Sequence, residues 1–295
     1  MHIALRRRLV ATMTRLLTKP LGAYEQRIPN SLPSLKQHVR VGDVILVEGD
    51  QRISQVIRYL TQSSWSHSAL YIGDELRRFH PALANALLAR YGDEARHLLI
   101  EADAADGVIC MPIAKYVRHN MRVCRPRGLR REDLDHVIGE LVEQLGRPYS
   151  VRHIWDLGRY FFPVTCIPAR FRRAALELGG KTTRRVICST MLARAFANVG
   201  YPILPRVVVG DSVQPRGLLH RMLGRNGNGS RALYSRENPA LVTPRDFDLS
   251  PYFEIIKFNH LASGKFDYRR IEWAHDGTKP SVAPNGTRHP KASAA

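Results

Sequence analysis

Five short apolar runs precede the first long helix of this chain, and that order limits the fold more than any other feature. They are "VGDVILVEG" (41–49), "HSALYIGD" (67–74), "HLLIEA" (97–102), "GVICMPIAKYV" (107–117) and "MRVCRP" (121–126). Each is short, and turn residues such as Gly, Asp and Pro punctuate the series, so the runs predict strands. "RISQVIRYLT" (52–61) predicts a helix, and "FHPALANALLARYGDEA" (79–95) a helical excursion. Two further helices follow. "REDLDHVIGELVEQLG" (131–146) carries acid in its first turn and Gly146 at its end. "VICSTMLARAFANVGY" (186–201) begins at or just before Cys188 and stops at Gly200. "TPRDFDLSPYFEII" (243–256) reads as a turn and a last strand. The class is α+β.

The flanks differ from this body. Residues 1–40 hold eight Lys/Arg against Glu25 alone, part of a formal charge of +19. Such a balance favours an anionic partner. Leu9, Val10, Met13, Leu16 and Leu17 share one helical face, with Arg6, Arg7, Arg8, Arg15 and Lys19 around it. This pattern predicts a helix over residues 1–20 that either lies on an anionic membrane surface or packs on the domain. The boundaries read as a basic helix and linker over 1–38 ("IPNSLPS", 28–34, being the linker), a main domain over 39–274, and a disordered tail over 275–295. An aromatic-basic insertion spans about 150–185.

No run of 18 apolar residues and no signal-peptide pattern is present, so a cytoplasmic protein, peripheral at the inner face of the membrane, is expected. The four cysteines (Cys110, Cys124, Cys166, Cys188) lack CxxC spacing, so neither a zinc site nor another metal or cofactor is expected.

Three residues invite a joint reading. Cys188 opens a helix, where the dipole and free N–H groups favour a thiolate. His67 stands at the mouth of an apolar strand and can serve as base and then acid. Glu101 closes another apolar strand and, if the two strands pair, can fix the imidazole tautomer. Taken singly, each has a plain alternative: a small buried thiol, a strand-end histidine, an ordinary carboxylate.

Together "HSALYIG", "LIEA" and "ICSTMLARAF" resemble the NlpC-type papain-like cysteine hydrolases. His67 precedes Cys188 by 121 positions, the reverse of the usual papain order. With "VGDVIL" upstream, "GRPYS" before the cysteine and "TPRDF" after it, the chain resembles the circularly permuted YiiX/YebB/YaeF group, relatives of the lecithin:retinol acyltransferase-like proteins.

That resemblance implies an antiparallel sheet packed against helices, with the nucleophile at a helix N-terminus. It implies Cys188 as nucleophile, His67 as base and Glu101 as orienting residue. Tyr149, Trp65, Ser66 and Ser189 are carried as substrate-side residues. Ser68 stands where a glycine often follows the histidine. The implied activity is cysteine-dependent hydrolysis of an amide or (thio)ester acyl bond, on a peptide, amide or acyl-lipid substrate. Acyl transfer on the same fold is the alternative. A non-enzymatic nucleic-acid- or membrane-binding protein is the reading charge alone would suggest, but no nucleic-acid-binding motif supports it.

Overall fold

The computed structural model describes residues 19–22, 24–103, 106–147, 187–204, 206–208, 233–235 and 238–259. The first 18 residues of the expected N-terminal helix (1–20), Tyr149, Cys166, the basic-aromatic insertion and the tail lie outside these residues; Lys19 and Pro20 are described and are not helical, Pro20 bridging to Gln51.

Six strands form one antiparallel sheet in the order β4-β3-β2-β1-β5-β8: β1 (Val44–Glu48), β2 (His67–Gly73), β3 (Leu98–Asp103), β4 (Gly107–Pro112), β5 (Asn120–Pro126) and β8 (Phe253–Ile256). A separate two-stranded pair joins β6 (Arg206–Val208) to β7 (Leu233–Ser235). The helices are α1 (Leu32–His38), α2 (Arg52–Thr61), α3 (Leu76–Phe79), α4 (Pro81–Tyr91), α5 (Arg131–Val142), α6 (Ile187–Asn198) and α7 (Pro244–Leu249).

The central strand explains why these runs are apolar rather than alternating. All five residues of β1 are buried, because both faces of the sheet are covered. Side chains still alternate between faces with period two. Val44, Leu46, Leu70, Ile72, Leu98 and Ile100 pack with Val137 and Leu141 of α5 and Met191, Leu192 and Phe196 of α6. Ile45, Val47, Ala69, Tyr71 and Leu99 face the other way, against Leu35 of α1, Ile113 and Tyr116.

Three stretches depart from the sequence reading, each for a local reason. Within 28–34, expected as a linker, Ser31 accepts the Ser34 N–H and Pro33 sits in the first turn, so α1 begins at Leu32. In "GVICMPIAKYV" the strand stops at Pro112 and a 3-10 turn (Ile113–Tyr116) follows. In "TPRDF" a reciprocal capping box between Thr243 and Asp246, with Pro244 at the first helical position, makes α7 a helix rather than a turn.

Candidate active site

His67 is the first residue of β2 and pairs with Val47, the penultimate residue of β1. On the other side of β2 lies β3, with Leu70 opposite Ile100. Period-two alternation puts His67 and Glu101 on the face of Ala69, Tyr71 and Leu99, whereas α6 packs on the opposite face, against β2 and β3. A histidine deeper in β2 would be cut off from α6 by the sheet. At the strand end its ring can bond partners from both sides.

Both partners are present. His67 Nε2 lies 2.7 Å from Glu101 Oε2, and the imidazole also hydrogen-bonds the Cys188 thiol. Cys188 is 7% exposed and Glu101 fully buried. Because α6 starts at Ile187, Cys188 lies in its first turn, where backbone N–H groups have no partner within the helix.

Burial would push the Cys188 thiol up; the His67 charge and hydrogen bond, with the Ser68 backbone N–H, outweigh it and hold the thiol below its ordinary value. The same coupling raises His67 against the burial that would lower it. Cys110 and Cys124 show what burial does without such partners: each is pushed up to about 12. The Ser68 hydroxyl is fully buried without a hydrogen-bond partner.

Glu101 is held by more than histidine. Lys115 Nζ lies 2.6 Å from Oε1, and the Tyr116 hydroxyl donates to Oε2. Burial alone would raise this carboxyl; His67 and Lys115 reverse that and keep it well below the ordinary carboxylate range. Burial and the adjacent carboxylate keep Tyr116 protonated, hence a donor. Lys115 and Tyr116 are absent from the sequence reading. The available signal was a Lys-Tyr pair at the end of an apolar run, a poor place for a lysine without a buried carboxylate to meet.

The remaining expected residues divide. Trp65 is buried in the core face, its Nε1 donating to Asp248 Oδ2 at 3.0 Å, with the Arg122 guanidinium 5.1 Å from its ring centroid. Ser66 Oγ accepts the Gly49 N–H at 2.9 Å. The Ser189 hydroxyl donates to the Val242 carbonyl at 2.7 Å, tying α6 to the segment before α7. Ser66 and Ser189, expected on the substrate side, have their hydroxyls engaged by the scaffold, and both are buried. Tyr149 lies outside the described residues.

A strand-end histidine, a carboxylate on the neighbouring strand and a later helix-start cysteine form the arrangement of a permuted papain-like protein. The family described as permuted papain-like amidase enzymes, YaeF/YiiX type, C92, matches residues 38–163. Over that stretch, somewhat under half of its length, the chain is similar to this YaeF/YiiX family. The matched stretch includes His67 and Glu101 and ends before Cys188. Among solved structures, the metalloprotein YiiX from Escherichia coli O157:H7 is similar at 15% identity and a TM-score of 0.41, over 75% of this chain and 97% of that one. No curated protein matches. Among the described residues, no group of three or more His, Cys, Asp or Glu is arranged to hold a metal ion, and no helix is long and apolar enough to cross a membrane.

Proposed function

We propose that the chain is a cysteine hydrolase cleaving an amide or (thio)ester acyl bond through an acyl-enzyme. One observation carries this reading: a continuous hydrogen-bonded series from the Cys188 thiol through His67 to a buried, ionised Glu101. The Cys188 sulfur attacks the acyl carbon, and His67 gives its proton to the departing amine, alcohol or thiol. A water then loses a proton to His67 and attacks the thioester, releasing the acid and regenerating the thiol. Throughout, Glu101 holds the ring by its Nε2–H, so the other nitrogen serves the sulfur. The Cys188 backbone N–H, with no partner inside the helix, is the natural donor to the developing oxyanion.

The test is labelling with a panel of electrophilic acyl and peptidyl probes, followed by mass mapping. Adduct on Cys188 that disappears in Cys188→Ala is expected. Absence of adduct, or equal labelling of Cys110 and Cys124, overturns the reading.

The membrane reading of residues 1–20 is part of the proposal, supported by their apolar face and arginines. It favours an acyl-lipid or membrane-proximal substrate. It also keeps acyl transfer as the second reading, with a lipid or amine replacing water in the deacylation step.

A further inference from the structure

We propose that Lys115 is a positioning residue whose charge balances Glu101 and thereby sets the pH window in which the Cys188–His67 pair is armed. The inference rests on the catalytic reading above. It starts from the arrangement of charge. Glu101 is fully buried and both of its oxygens are occupied, Oε2 by His67 and Tyr116 and Oε1 by Lys115. Lys115 reaches it from the 3-10 turn after β4, its side chain 30% exposed and its ammonium 5.1 Å from the Tyr116 ring centroid.

Every element around the site contributes a group that must be counted. β2 supplies His67 and Ser68, β3 supplies Glu101 and Asp103, β4 supplies Cys110, the turn supplies Lys115 and Tyr116, and α6 supplies Cys188. Cys110 and Tyr116 remain protonated. Asp103 is partly exposed, 3.7 Å from Lys115 Nζ, and accepts the Asp106 N–H. The charges of the armed state therefore alternate: thiolate, imidazolium, carboxylate, ammonium. Without the last of these, a buried site would carry one uncompensated negative charge.

The sign of the effect follows. A nearby cation favours loss of a proton from its neighbours. Lys115 therefore lowers both the pH at which the Cys188 thiol ionises and the pH at which the imidazolium is lost. Removing it should move both limbs of the profile to higher pH. A purely structural lysine would lower the rate and leave the inflections in place.

The experiment is the rate of Cys188 alkylation by iodoacetamide, a neutral reagent, from pH 4 to 10, read by mass mapping. It compares the full-length wild type with Lys115→Met, Lys115→Gln and Lys115→Arg. The first two are expected to shift the acid limb upward by roughly 0.5 to 1 pH unit, a three- to tenfold slowing on the acid side, from one partly screened charge. Lys115→Arg should restore the wild-type position. Lys115→Gln keeps a donor to Oε1, so a folded variant is available even if Lys115→Met is unstable. Unmoved inflections in a Cys188 that still reacts, or failure of arginine to restore them, overturn the role of Lys115 alone. A wild-type Cys188 no more reactive than Cys110 and Cys124 removes the catalytic reading, and the inference with it.

Discussion

Two buried carboxylates sit at the same end of the sheet, and only one has a histidine among its partners. Glu48, the last residue of β1, is 7% exposed and held by Arg27, Arg58 and Asn120. Glu101, on β3, is held by His67, Lys115 and Tyr116. The desolvation problem is the same, and each is met by cations and neutral donors. The partners differ in what they can do. Guanidinium groups keep their protons at every working pH, so the arginines around Glu48 have no proton to relay and serve as a clamp. An imidazole can give its proton up, so the Glu101 cluster has two states and can relay a change at the sulfur. Burial of an acid marks neither role; the titratability of its neighbour decides.

The widest separation should come from substitution of the thiol and the imidazole of the relay. Cys188→Ala and His67→Ala should each reduce hydrolysis by at least about 10³-fold with the fold intact, as removal of a nucleophile or its base does elsewhere. Turnover of the best acyl substrate, beside a circular dichroism melt, checks this. A variant of either residue keeping a tenth of the activity would contradict the relay.

Next comes the direct contrast. Glu101→Gln should lower the rate by about 10²-fold, because an amide that gives its oxygen to Lys115 turns its NH2 to the ring and tautomer control is lost. Glu48→Gln should spare the rate but lower stability by about 1–3 kcal/mol, because two arginines lose their partner while keeping contact with water. Denaturant midpoints and rates on the same samples decide it, and interchanged outcomes would abolish the distinction drawn here.

A third expectation concerns pH and stability. The depressed Glu101 contributes stability above its unfolded pKa, lost as pH falls through the folded value. The raised His67 contributes stability below its unfolded pKa, lost as pH rises through the folded value. Unfolding midpoints from pH 3 to 10 should therefore fall at both ends, with the acid-side loss reduced in Glu101→Gln. An unchanged acid limb in that variant would show that other carboxylates govern it.

The smallest effect lies outside the sheet. Deleting residues 1–18 should remove salt-sensitive co-sedimentation with anionic vesicles, each basic residue being worth about 1 kcal/mol, while leaving Cys188 alkylation unchanged. Equal sedimentation of both forms would end the membrane reading.

Much of this was legible in the chain because strand-end positions are cheap to recognise. His67 and Glu101 stand out as polar residues at the limits of apolar runs, and Cys188 precedes a helical pattern. Lys115 and Tyr116 were not legible, since their segment continues the apolar run of β4 and only Pro112 marks the change to a 3-10 turn. Nor was the scaffold role of Ser66 and Ser189. A serine beside a catalytic position looks the same in sequence whether its hydroxyl meets substrate or, as here, the backbone at Gly49 and Val242. The helix at α7 could have been read, because Thr-Pro-Arg-Asp spells its own cap.

The late position of α6 in the chain has a consequence for how the protein is made. During synthesis the ribosome releases β2 and β3, with His67 and Glu101, well before Cys188 emerges. The imidazole and carboxylate can therefore be in place with no sulfur between them and the solvent, and a nascent chain cannot acylate itself or its neighbours. On the proposed reading, chemical competence arrives only when α6 docks on the five strands that precede it in the chain, β8 following later. On that reading, a product truncated before residue 187 lacks the nucleophile, and the order of the gene acts as a safety catch on the thiol.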